Sequence, residues 1–231
     1  MSRAVPNESP AGAALVRDLE RRFVTEIEAV DVGGTAIPVL RPRSAEDLIS
    51  EEDFLHDERL PYWADVWPSA RVLAARVLAE QGAGRSLLEL GCGVGLVAMA
   101  AARAGFAVTV TDYYDDALLF ARANVWRATG AEPEARLVDW RELPDDLGRF
   151  DLVVGSDVLY ERPYAMLIAR ALTLTLARGG TALIADPGRV AAPAFLEAAV
   201  ELGLDVGEPE VHPIDAHGAA QTIRLHTLRR R

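Results

Sequence analysis

Leu87-Leu88-Glu89-Leu90-Gly91-Cys92-Gly93-Val94-Gly95 is the stretch that decides the fold. A short apolar run that breaks into alternating glycines reads as a buried β-strand turning directly into a helix. Glycine lets the backbone adopt the tight turn and lets a ligand approach it, while the amides of the following helix face whatever is bound. The spacing argues against a dinucleotide fingerprint, because G-x-G-x-x-G counted from Gly91 puts Leu96 at the third glycine position. Outward from the loop, further apolar runs recur at 107–111, 135–138, 152–154 and 182–185, separated by Ala/Leu-rich helical segments. Near-continuous apolar strands alternating with helices predict a parallel sheet covered on both faces. The last two runs, 205–212 and 222–228, have only a turn-rich stretch between them. They must pair antiparallel, since a parallel return needs a crossover of about a dozen residues. The expectation is an α/β, doubly wound seven-stranded sheet, mostly parallel, closed by a C-terminal antiparallel hairpin.

The N-terminal part has a different texture. Residues 24–32 and 35–40 flank Gly33-Gly34, the signature of a two-residue hairpin turn. An acidic stretch after Pro42 is compatible with a short helix capped by Ser44. We therefore divide the chain into a β-hairpin and helix extension, residues 1–59, and a main domain, residues 60–231. At its start lies an aromatic segment, Pro61-Tyr62-Trp63-Ala64-Asp65-Val66-Trp67-Pro68, leading into a helix from about Ala70 to Glu80.

Composition narrows the chemistry. The 231 residues carry 35 acidic against 24 basic side chains, a net charge of −11, which repels a polyanion over most of the surface and makes nucleic acid a poor substrate. All the basic residues are Arg; the chain has no Lys. One cysteine and four scattered histidines offer no disulfide and no zinc-ligand spacing, so no metal site is expected. No run of 18 apolar residues and no secretory signal is present, so the protein is read as cytoplasmic and not membrane-bound.

Asp112 ends the second core strand, 21 residues after Gly91, where an acidic side chain can bond both hydroxyls of a ribose; it can equally cap the helix that follows. Asp139-Trp140 ends the third strand, either beside an adenine ring or as a partly buried anchor. With Glu89 before the glycines, this arrangement resembles the Rossmann-like, seven-β-strand methyltransferases that use S-adenosylmethionine (SAM). More narrowly it resembles the lysine methyltransferase-like group that includes the electron transfer flavoprotein β-subunit enzyme. Three segments carry the narrower likeness: the aromatic one with Trp63 and Trp67, Ser156-Asp157-Val158-Leu159-Tyr160-Glu161, and Asp186-Pro187-Gly188-Arg189.

The resemblance implies SAM as cofactor, S-adenosylhomocysteine (SAH) as product, and a protein lysine as acceptor. It implies that Trp67, Glu89, Gly91, Cys92, Gly93, Gly95, Asp112, Asp139, Trp140 and Ser156 surround the cofactor. Asp157 and Tyr160 would then orient the acceptor amine and take or relay its proton, with Glu161 peripheral. Asp157 can instead cap the turn before the next helix, and Tyr160 can be a core aromatic. Two further functions stay open: a small-molecule N- or O-methyltransferase, and a catalytically silent SAM-binding scaffold.

Overall fold

A computed structural model describes residues 10–48, 61–216 and 219–231. Helix α1 (Pro10–Arg22) is followed by strands β1 (Thr25–Val32) and β2 (Thr35–Pro42), which pair antiparallel around Gly33-Gly34 as a two-residue hairpin. After Pro42 the chain makes one 3-10 turn, Glu46–Leu48, with the Glu46 amide donating to Ser44 Oγ at 3.1 Å. The rest of the expected acidic helix lies outside the described residues. A second 3-10 turn, Tyr62–Ala64, leads into α2 (Pro68–Leu78), whose Pro68 sits in the first turn where its missing N–H costs nothing.

The core then runs β3 (Ser86–Leu90), α3 (Leu96–Arg103), β4 (Ala107–Asp112), α4 (Asp115–Thr129), β5 (Glu134–Leu137), β6 (Phe150–Ser156), α5 (Tyr164–Thr175), β7 (Leu176–Asp186) and α6 (Ala192–Glu201). Three strands close the chain: β8 (Leu204–Val206), β9 (Glu210–Ala216) and β10 (Ala219–Arg230). The sheet order is β5-β4-β3-β6-β7-β10-β8, with β9 also on β10. Pairs among β3 to β7 are parallel, and every pair made by β10 is antiparallel. The run 205–212 is therefore two strands, not one. Both lie along the same side of β10, interrupted at Gly207-Glu208-Pro209, so the sheet has seven positions built from eight strands.

Alternate residues of each core strand feed two apolar layers. Leu87, Leu152, Val154 and Leu183 pack with α2, α3 and α4, while Leu88, Leu90, Val153 and Ile184 pack with α5 and α6. Each fully buried leucine or isoleucine contributes about 1.5–3 kcal/mol relative to exposure. The N-terminal hairpin joins the first layer, with Val30, Val32, Ile37, Val39 and Leu40 buried there.

Strand order reverses between β3 and β6, since β4 and β5 build outward on one side and β7 and β10 on the other. Such a switch point leaves a crevice at the carboxyl ends of the strands. Gly91 follows β3, Asp112 ends β4 and Asp157 follows β6, so all three meet that crevice.

Candidate active site

A cleft of about 880 Å³ opens at the switch point, floored by the glycine loop and walled by the strand ends and the aromatic segment. Trp67, Glu89, Gly91, Cys92, Gly93, Asp112, Asp139, Trp140, Ser156, Asp157 and Tyr160 all line it. Gly95 does not. It is the N-cap of α3 with φ 85°, and a Cβ there would stand 2.7 Å from Ala121 Cα, so its place is in the packing of α3 against α4. Gly93 lies on the floor with φ 50°, where a Cβ would come within 2.9 Å of the Trp63 carbonyl oxygen.

One side of the cleft is defined by two buried acids. Asp112 Oδ2 accepts from the Gly93 amide at 2.9 Å and Oδ1 from the Tyr114 amide at 3.1 Å, which ties β4 to the glycine loop. A carboxylate has about four lone-pair sites, so capacity remains for hydroxyl donors. Burial pushes the Asp112 carboxyl up, and pushes Glu89 well up. Glu89 is 1% exposed, and its Oε2 has no hydrogen-bond partner among the described residues. Trp140 Nε1 is likewise buried without one, and the indole stands edge-on to Tyr164 at 5.3 Å between centroids. Orphaned buried donors and acceptors beside a glycine cradle are what a polar, nucleoside-bearing ligand would satisfy. The residues present therefore fit SAM. Asp139 is engaged by Arg141, whose Nη2 lies 2.7 Å from Oδ2.

The other side of the cleft is built around Asp157, the one non-glycine residue with positive φ (60°) among those described. Backbone strain of this kind clusters at functional sites. Its carboxylate accepts from Arg189 Nε at 2.5 Å and from Ser69 Oγ at 3.3 Å. It does not cap α5, whose N-cap is Pro163 with no side-chain cap. Tyr160 stands edge-on to Tyr62 at 6.1 Å and to Tyr164 at 4.9 Å, and burial with the neighbouring Tyr164 pushes its phenol well up. Trp67 donates from Nε1 to the Tyr62 carbonyl at 2.9 Å, and the Arg189 guanidinium lies over the Trp67 ring at 5.6 Å.

Ser69, Arg189, Tyr62 and Tyr164 are the members that reading the sequence does not assign. The Asp186-Pro187-Gly188-Arg189 turn was the available signal for Arg189, since β7 neighbours β6 in any sheet of this order.

A family profile described as lysine methyltransferase matches residues 54–195. The chain belongs to the lysine methyltransferase family. Among individual relatives, it is 33% identical over 132 residues to the electron transfer flavoprotein beta subunit lysine methyltransferase of Danio rerio, covering 56% of this chain and 51% of that one. It is 38% identical over 107 residues to protein N-lysine methyltransferase METTL21A of Mus musculus, covering 42% and 48%. The matches thus span about half the length of these relatives. Among solved structures, N-methyltransferase NodS from Bradyrhizobium japonicum, bound to SAH, superposes with TM-score 0.59 at 20% identity, covering 78% of this chain and 95% of that one. Magnesium protoporphyrin IX methyltransferase from Synechocystis, with SAM, gives 0.58 at 17%, covering 81% and 98%. Family and structures agree on the Rossmann-like methyltransferase fold.

Proposed function

We propose that this protein is a SAM-dependent N-methyltransferase that methylates a lysine side chain on a protein. The observation that carries the proposal is Asp157: a buried carboxylate in a strained conformation, facing the same cleft as the glycine loop from the neighbouring strand end. Family membership and the names of the relatives support the acceptor class.

In this reading Glu89, Gly91, Cys92, Gly93, Asp112, Asp139, Trp140, Ser156 and Trp67 hold SAM, with Gly95 setting the helix behind the loop. SAM, when bound, supplies an electrophilic methyl group on a sulfonium. The protein's own work is to exclude water, align a nucleophile and leave it unprotonated. A lysine amine has a reference pKa of about 10.4 and must lose its proton before it attacks. In this reading Asp157, with Tyr160 beside it, orients the acceptor nitrogen and accepts or relays its proton. The net charge of −11 favours a basic partner over nucleic acid. The reading needs no metal, and among the described residues no three His, Cys, Asp or Glu converge as a ligand set. It places the protein in the cytoplasm, with residues 1–59 as an extension to the catalytic domain.

The test is incubation with methyl-labelled SAM and an extract of the source organism lacking this gene, followed by mass spectrometry of any labelled band. A labelled protein with methylated lysine is expected. Since the chain contains no Lys, self-labelling at lysine cannot mimic that result. Label confined to small molecules overturns the acceptor class, and no label at all overturns the activity.

A further inference from the structure

The acceptor end of the cleft already contains a cation. Arg189 reaches Asp157 from the turn after β7 and is fixed from three directions. Its Nε donates to Asp157 Oδ1 at 2.5 Å, its guanidinium lies on the Trp67 ring at 5.6 Å, and its own amide donates to Asp186 Oδ2 at 3.0 Å. Trp67 is itself pinned through Nε1 to the Tyr62 carbonyl, and the Gly188 amide also donates to Asp186 Oδ2, at 2.7 Å. The guanidinium thus sets a positive charge beside the carboxylate that the proposed reaction uses.

From this geometry we infer that Arg189 is a positioning residue that makes the acceptor subsite select the neutral amine over the ammonium. The inference rests on the reading of Asp157 as the acceptor residue. A bare buried carboxylate would bind an ammonium tightly and hold its proton in place, which is the wrong ground state for attack on a methyl group. Pairing the carboxylate with a guanidinium cancels its charge while leaving lone pairs free to accept from an amine N–H. The nearby positive charge then disfavours the protonated acceptor. At an effective dielectric of about 20, a unit charge about 5–6 Å away shifts such an equilibrium by about two orders of magnitude, and partial exposure of Arg189 reduces that to about tenfold.

The other charged and titratable groups around the subsite do not supply this effect. Asp186 closes the turn by accepting from the Gly188 and Arg189 amides, with its carboxyl pushed up by burial; on β10, His226 has its imidazole pushed down by burial, and exposed Arg224 lies against Gly188 of the turn. Glu161 and the phenols of Tyr62 and Tyr160 stand at the mouth; Asp112 is on the cofactor side. None of these is a fixed cation in contact with Asp157.

The experiment uses n-butylammonium, a lysine side-chain mimic, titrated into SAH-saturated protein at pH 7.5, with n-butanol as the uncharged control. Arg189→Gln should bind n-butylammonium at least fivefold tighter than wild type, Arg189→Lys should stay within about twofold of wild type, and n-butanol should not distinguish them. Equal or weaker binding of the cation by Arg189→Gln overturns the inference, as does an equal gain for n-butanol. If Arg189→Gln does not fold, Asp157→Asn, which keeps the cation and removes the anion, should bind n-butylammonium at least fivefold more weakly than wild type; unchanged binding overturns the inference. Because this readout needs no methyl transfer, its failure is distinct from failure to label a protein in extract. When a labelled acceptor is in hand, the rate by Arg189→Gln should rise with pH about one unit later than wild type, and coincident profiles overturn the inference.

Discussion

Asp157 combines a left-handed backbone, a buried carboxylate and two side-chain donors, Ser69 and Arg189. Asn tolerates positive φ about as well as Asp, and its amide oxygen can still accept from Arg189, so Asp157→Asn should fold normally. We expect SAH affinity within about threefold of wild type but a methyl-transfer rate lower by roughly 100-fold, the scale of a lost positioned acid or base. Near-normal single-turnover rates at saturating SAM would remove Asp157 from the chemistry. Asp112→Ala should behave in the opposite way, weakening SAH binding by roughly tenfold or more through lost hydroxyl contacts and a freed Gly93 amide. Unchanged calorimetric affinity would refute the ribose assignment. At this scale the sequence was informative where a side chain reaches the cleft from its own strand end, as for Glu89, Asp112 and Asp157. It was silent on Ser69, and for Arg189 it offered only the Asp186-Pro187-Gly188-Arg189 turn without a partner, because their contacts with Asp157 exist only once α2 and the turn after β7 are folded against β6.

Elements show the same division. The core strands were legible because β3, β4, β6 and β7 are buried on both faces and read as continuous apolar runs. Helix α1 was not read, although it carries a period: Leu15, Val16 and Leu19 recur on its contact face at helical spacing, beside Gly12, where a Cβ would strike the Trp126 ring at 2.3 Å. The attachment of the hairpin was hidden, since it depends on a polar residue. Asn124 on α4 is fully buried; its Oδ1 accepts from the Leu40 amide at 2.8 Å, and its Nδ2 donates to the Leu40 and Val94 carbonyls at 2.7 and 2.9 Å. One amide thereby stitches β2 to the glycine loop. Asn124→Ala would leave three buried backbone groups unpaired and should cost about 2–4 kcal/mol, lowering Tm by about 5–15 °C. A drop below about 2 °C would show that water or local rearrangement replaces these bonds. Ile37→Ala, emptying a fully buried site in the shared apolar layer, should cost a similar 2–4 kcal/mol. Unfolding should remain one transition, and a separate early transition in the variant would make the hairpin an independent unit.

The whole molecule registers the cleft through its proton balance. Glu89 and Asp112 have carboxyls raised by burial in the folded protein, so the native state holds protons more tightly than the unfolded chain. Their contribution to stability is fully present below the unfolded carboxyl value, about 4, and is lost as pH rises through the raised folded values. His226 runs the other way: its imidazole is lowered by burial, so its contribution is present above about pH 6.5 and is lost as pH falls through its depressed folded value. A plain pH profile of Tm would therefore mix opposing slopes. The difference between SAH-bound and ligand-free protein cancels His226, which lies outside the cleft lining, and isolates the two acids. Hydroxyl and ammonium donors on the ligand favour the ionised carboxyls, so the stabilisation by SAH should grow as pH rises above the ordinary carboxyl range and its binding should release protons. Calorimetry in two buffers of different ionisation enthalpy would measure that release directly. Glu89→Gln, which cannot ionise, should flatten the growth while keeping the side-chain volume. A pH-independent SAH increment in wild type would mean that the buried acids keep their protons in the complex, and that the cleft meets the ligand with neutral acceptors.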